Sequence, residues 1–201
     1  MLGLPKSTEL NKQLPKNAIY AKFQMNTAEK AKIDADISRI TIVNEVSADK
    51  VHIAVGEQVQ SFFVLLVALK KKDFDDRMII TLSKLIPQNM LLILECGDEA
   101  KLATYHAKLM QTEWKRKEEL SVELKGLNLD AVWENIIIQI GGITVDQGNT
   151  LDEQIAVDEQ RMRIQKELDR LTKQAKNEKQ PKKKFELVQK MNRLKKELEE
   201  I

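Results

Sequence analysis

The sequence predicts a mixed α/β (α+β) fold, a layer sandwich built on a mixed sheet and followed by a C-terminal antiparallel helical hairpin, or coiled coil. Three observations carry this. Apolar runs of strand length, "SFFVLLVALK" at 61–70 and "NMLLILEC" at 89–96, alternate with helical patterns through the first 140 residues. Three of the seven glycines then gather in "GGITVDQGNT", Gly141 to Thr150. From Leu151 the chain turns to Gln, Glu, Lys, Arg and Leu, with apolar residues on a sevenfold spacing. The expected organisation is an α/β domain over 1–140 with a short N-terminal packing arm, a linker over 141–150 and a helical hairpin over 151–201.

The arm is "LPKSTELNKQLPK", whose two Leu-Pro-Lys copies begin at Leu4 and Leu14. Proline interrupts a helix, so only about two turns fit between them. Ser7 or Thr8 is placed to cap a short helix with Leu10 and Leu14 toward the sheet and Lys6, Lys12 and Lys16 outward. Asn26, Thr27 and Glu29 form a capping-box pattern that opens a helix to about Ser38. "ITIVNEV" and "KVHIAV" read as the first two strands, with Gly56 turning the chain after them.

"SFFVLLVALK" is almost unbroken in its apolar character, as a strand covered on both faces must be. "DFDDRMIITLSKLI" follows as a helix with Asp73 as N-cap and Met78, Leu82 and Leu85 inward, stopped by Pro87. "NMLLILEC" is the next buried strand, "GDE" a tight turn, and "KLATYHAKL" its antiparallel partner. "TEWKRKEELSVELKG" is an extended stretch, and Asn128 caps a helix over "NLDAVWENIIIQI".

In the C-terminal region Val157, Ile164, Leu168, Leu171 and Ala175 make one seam. Leu187, Met191, Leu194, Leu198 and Ile201 make a second. Pro181 between them suits the first turn of a new helix, so a folded-back hairpin is expected over a continuous kinked helix. The two stripes can satisfy each other, or join a dimer or another protein's helices. Lys173, Lys176, Lys179, Lys182, Lys183 and Lys184 surround the turn, opposed only by Glu178. They make either a solvated tip or a contact for phosphate or an acidic surface.

Composition narrows the chemistry. Basic residues number 33 against 31 acidic, a net charge of +2, so any case for nucleic acid rests on local arrangement. The single cysteine, Cys96, ends an apolar run and reads as a buried inert thiol in a reducing cytoplasm. No apolar run reaches the ~18 residues of a membrane span. His52 and His106 are the only histidines, fall on separate expected strands and lack metal-ligand spacing. There is no phosphate-cradling glycine loop and no nucleophile elbow. Neither metal nor cofactor is expected, and no catalytic residue.

One enzymatic reading survives. Helix, three strands, helix, strand is the element order of the PD-(D/E)XK nuclease core, which needs clustered carboxylates for a hard divalent cation. Lys70 can serve as its lysine, but Ala68 stands where the carboxylate belongs, and Glu57 and Asp49 lie at turn-like positions.

"GLPKSTELNKQLPK", the "SFFVLLVALK" and "IPQNMLLILEC" strands, "TEW" at 112–114, "LKGLNLDAVWENIIIQI" and "LDEQIAVDEQ…KQPKKKFELVQKMNRLKKEL" together resemble the bacterial family of domain of unknown function 4391. The resemblance implies no catalytic residues. It implies a setting beside DNA methyltransferases and helicases of restriction-like or phage-defence loci. The expected function is a non-enzymatic accessory or scaffolding subunit that binds protein partners or itself through the C-terminal helices. A degenerate nuclease and a DNA-binding module are the alternatives.

Overall fold

The computed structural model describes residues 2–201. The chain divides into two compact units, Met1–Ile143 and Thr144–Ile201. No helix among the described residues is long and apolar enough to cross a membrane.

The first unit is an α/β sandwich. Its elements are β1 (Glu9–Leu14), α1 (Lys16–Lys22), α2 (Thr27–Asp36), β2 (Ile37–Ser47), α3 (Ala48–Val51), β3 (Ser61–Leu69) and α4 (Asp76–Leu82), then β4 (Asn89–Cys96), β5 (Glu99–His106), β6 (Lys108–Gln111), β7 (Lys115–Arg116) and α5 (Leu129–Gly141). The strands lie in the order β1-β2-β3-β4-β5-β6, with β7 paired to β5. Among the described strands only β3 and β4 pair in parallel, joined through α4, so the sheet is mixed. These two strands are central and buried on both faces, which is why they lack alternation. Ile33 of α2 and Met78, Ile79 and Leu82 of α4 pack with Leu65, Val67, Leu92 and Leu94 in one core. On α5, Trp133 meets Phe62 with ring centroids 5.1 Å apart.

Several helix starts follow the local sequence rules. Asn26 and Glu29 form the expected reciprocal capping box on α2. The Asn128 carboxamide accepts from the Ala131 N–H at the start of α5. Asp75, and not Asp73, caps α4 by accepting from Arg77 N–H.

Four elements differ from the sequence reading. The N-terminal arm is no helix after its single 3-10 turn over Lys6–Thr8; Glu9–Leu14 is an edge strand against β2. Buried Thr8 determines this. Its hydroxyl donates to Pro5 O at 2.7 Å and accepts from buried Asn44 of β2 at 2.8 Å, which lays the chain along the sheet edge. Leu10 is therefore exposed, while Lys16 donates to Asp34 and Ile37 O.

"KVHIAV" is not a strand. It holds the end of α3 and His52 at φ 54°, so only two strands separate α2 from α4 and the nuclease-like order is not reproduced. "KLATYHAKL" is two strands, folded over Ala107 at φ 56° so that His106 opposes Lys108. Cys96 is half-buried, opposite Glu99, because β4 ends there at the Gly97 turn.

The loop before β3 is fastened by one carboxylate. Asp130, in the first turn of α5, accepts from the N–H groups of Glu57 at 2.7 Å, Gln58 at 3.1 Å and Val59 at 2.7 Å. These bonds, that from Val59 foremost, hold its carboxyl below the usual range. Buried Gly56 makes this approach possible, since a Cβ there would strike the Asp130 carboxylate and lie 2.7 Å from its backbone nitrogen.

The second unit is a hairpin of α6 (Leu151–Asn177) and α7 (Pro181–Glu200). Thr150 and Glu153 cap α6 reciprocally, and Pro181 occupies the first turn of α7, where its missing N–H costs nothing. Gln160 donating to Glu197 and Arg161 donating to Ile201 O place the helices antiparallel, so Pro181 marks a turn and not a kink.

Gly56→Ala should lower stability by about 1–3 kcal/mol through overpacking, measured by denaturant unfolding. Asp130→Asn should lower the melting temperature at neutral pH. Because the folded carboxyl titrates below its unfolded value, its contribution is complete above the unfolded pKa. The gap between wild type and Asp130→Asn should therefore narrow as pH falls below about 4.

Candidate functional site

In the first unit the polar side chains raised as candidates do not converge. Lys70 extends from the end of β3 and donates to Asp34 O. Ala68 pairs with Arg39 on one side and Glu95 on the other. Glu57 takes part only through the loop clasped by Asp130, and Asp49 sits in the first turn of α3. His52 is exposed on a loop, and His106 ends β5. Among the described residues, no three His, Cys, Asp or Glu side chains come together as they would to hold a metal ion.

A cleft of about 420 Å³ does open in this unit, floored by Phe23, Met25, Ile33 and Met78. Its carboxylates are already engaged in the fold. Glu29 completes the α2 capping box, Asp75 caps α4, and Asp36 pairs with Lys71 at 2.8 Å. That last bond, together with the Asp36 charge, raises the Lys71 pKa. Nearby, Asp34 accepts from Tyr20 and Lys16, and burial with that hydrogen bond pushes the Tyr20 hydroxyl up to about 12.

An aromatic and lysine stack went unread in the sequence. The Lys101 ammonium lies 4.9 Å from the Phe74 ring and 5.3 Å from Trp114, and Lys72 approaches the same indole at 5.3 Å while pairing with Glu99. Burial holds the Lys101 pKa below the ordinary lysine value, against the opposing charges of Asp76 and Glu113. The rings favour the cation, so the stack joins "KKDF" to "TEW" across the start of β5. Its contacting pairs lie 13 to 42 positions apart, and no local pattern links them.

The hairpin assembles the residues that the sequence singled out. On α6, Ile164, Leu168, Leu171 and Ala175 are buried, and Val157 is half-buried. On α7 the matching stripe stays half open. Leu187, Met191, Leu194, Leu198 and Ile201 are each partly exposed, and α7 has no buried residue at all. A helix with a single neighbour is covered along one line only, which accounts for the open flanks of the α7 stripe.

Near the turn lies a groove of about 600 Å³, which Leu187 lines together with Lys173, Lys183 and Lys190, Asn177, and Glu178 and Glu186. Lys176, Lys179, Lys182 and Lys184 are exposed around it. Three apolar side chains lie outside the seam and exposed: Met162 on α6, and Phe185 and Val188 on α7. Phe185 escaped the sequence reading because it falls two residues before the seam position Leu187, on another face of the helix.

A family model described as domain of unknown function, DUF4391, matches residues 2–198. The chain belongs to the DUF4391 family. No curated protein and no solved structure matches it. The matched residues of this DUF4391 chain span both units, so the hairpin lies within the family's defining region.

Truncation should report the asymmetry of the two stripes. Leu168→Ala should cost about 2–5 kcal/mol in the helical unfolding transition, as a buried leucine does. Leu194→Ala, on the half-open side, should cost about 1 kcal/mol, because part of its surface is hydrated in the folded chain. Equal losses would mean that α7 is as well covered as α6.

Proposed function

We propose that this DUF4391 chain is a non-enzymatic accessory subunit that docks through its helical hairpin onto a helical protein partner. The observation that supports the reading is the state of α7, a 20-residue helix with a regular Leu and Met stripe and no buried residue. A stripe at that spacing is completed by one or two further helices, which close the seam from the sides the hairpin leaves open. The partner class follows from the setting that the family resemblance implies: a DNA methyltransferase or a helicase of a restriction-like or phage-defence system, working in the cytoplasm. In this reading the α/β unit carries the hairpin and performs no reaction.

The nuclease alternative has less support. Ala68 supplies no oxygen for a cation, and two strands stand between α2 and α4 where that core has three. A cation of the magnesium type is held by clustered carboxylates, which that position lacks.

Co-expression with a DNA methyltransferase and with a helicase of such a locus tests the proposal. A complex of defined mass should copurify with one of them and be lost with Met191→Glu plus Leu194→Glu, while circular dichroism shows the helices retained. A chain that stays free of both, with its helices intact, would overturn it.

A further inference from the structure

We propose that the outer flank of the hairpin tip binds single-stranded nucleic acid, with lysines on the phosphates and Phe185 stacked on a base. Phe185 and Val188 lie off the docking seam, which this flank meets at Met191. Phe185 is 63% exposed in the second turn of α7, and Val188, one turn further, is 40% exposed. Residues three and four apart share a helix face, so the neighbours of Phe185 are Pro181, Lys182, Val188 and Gln189. Those of Val188 are Lys184, Phe185, Met191 and Asn192. This flank thus holds an aromatic ring, cations and two carboxamides, and no carboxylate.

The wider charge points the same way. From Lys173 to Lys190 seven lysines stand against Glu178 and Glu186 alone, within a chain whose net charge is only +2. The remainder of the chain is accordingly net acidic, and the cationic field is concentrated at the tip.

A basic surface carrying an exposed ring is the combination that single strands recognise. Lysines neutralise the backbone, and an unpaired base offers its face to the ring whatever its identity. A duplex keeps its base faces stacked inside, so Phe185 distinguishes the two forms. An acidic protein surface would also answer the charge, but it would not require a planar face against the ring.

Fluorescence anisotropy with the full chain tests this, using a labelled oligo-dT and a labelled duplex at about 50 mM and about 200 mM salt. The single strand should bind more tightly than the duplex and weaken steeply with salt. Lys182→Glu, Lys183→Glu and Lys184→Glu together should abolish binding. Phe185→Ala should weaken single-strand binding roughly five- to a hundredfold with the salt slope unchanged, and Phe185→Trp should restore it. Phe185 is exposed, so its replacement leaves the fold in place, which helix content by circular dichroism verifies. Absence of binding at low salt, equal affinity for duplex, or indifference to Phe185→Ala would each overturn the proposal. Leu194→Glu plus Leu198→Glu, seam positions beyond this flank, should abolish docking and leave oligo-dT binding intact, so failure of the docking reading and failure of this one are separable.

Discussion

A pair of antiparallel helices can close only one line of contact, and that constraint shapes everything proposed for this protein. In the hairpin the α6 stripe takes the sheltered position, with Ile164, Leu168, Leu171 and Ala175 buried, while the α7 stripe is left half hydrated. Reciprocal capping by Thr150 and Glu153 and the turn at Pro181 hold the helices in this arrangement. Long Lys and Arg side chains on the remaining faces keep an otherwise marginal element in solution.

The α/β unit is organised differently. Its two central strands and their helices form a continuous apolar core, and several polar groups near its surface are engaged by the fold itself. Asp130 clasps a loop, Asp36 holds Lys71, Asp75 starts a helix, and Lys101 is stacked between two rings. Carboxylates and amines committed in this way set loop positions. The hairpin leaves the α7 stripe partly exposed, with Met162, Phe185 and Val188 exposed outside the seam.

Much of this was legible from residue order because it depends on local rules. The two buried strands, the Asn26–Glu29 box, the Asn128 cap and the hairpin with its two stripes follow from periodicity and capping chemistry. What was illegible depends on distant partners. Thr8 makes the N-terminal arm a strand only because Asn44 waits for it across the sheet. "KVHIAV" has strand-like composition, yet its chain is turned aside by the left-handed His52 and by the loop that Asp130 fastens. The bend at Ala107 and the Lys101 stack likewise rest on pairings that no short window contains. At the tip, the lysines were visible as a run, while Phe185 fell outside the seam pattern and its exposure is given by the fold.

Thiol labelling of α7 tests the open seam most directly. With Cys96→Ser as background, Met191→Cys should react readily with a maleimide in the free chain, as a half-exposed thiol does, and become strongly protected in the complex with the proposed helical partner. A thiol at position 191 that is slow in the free chain, or equally fast in both states, would contradict the claim that this stripe is open until a partner covers it.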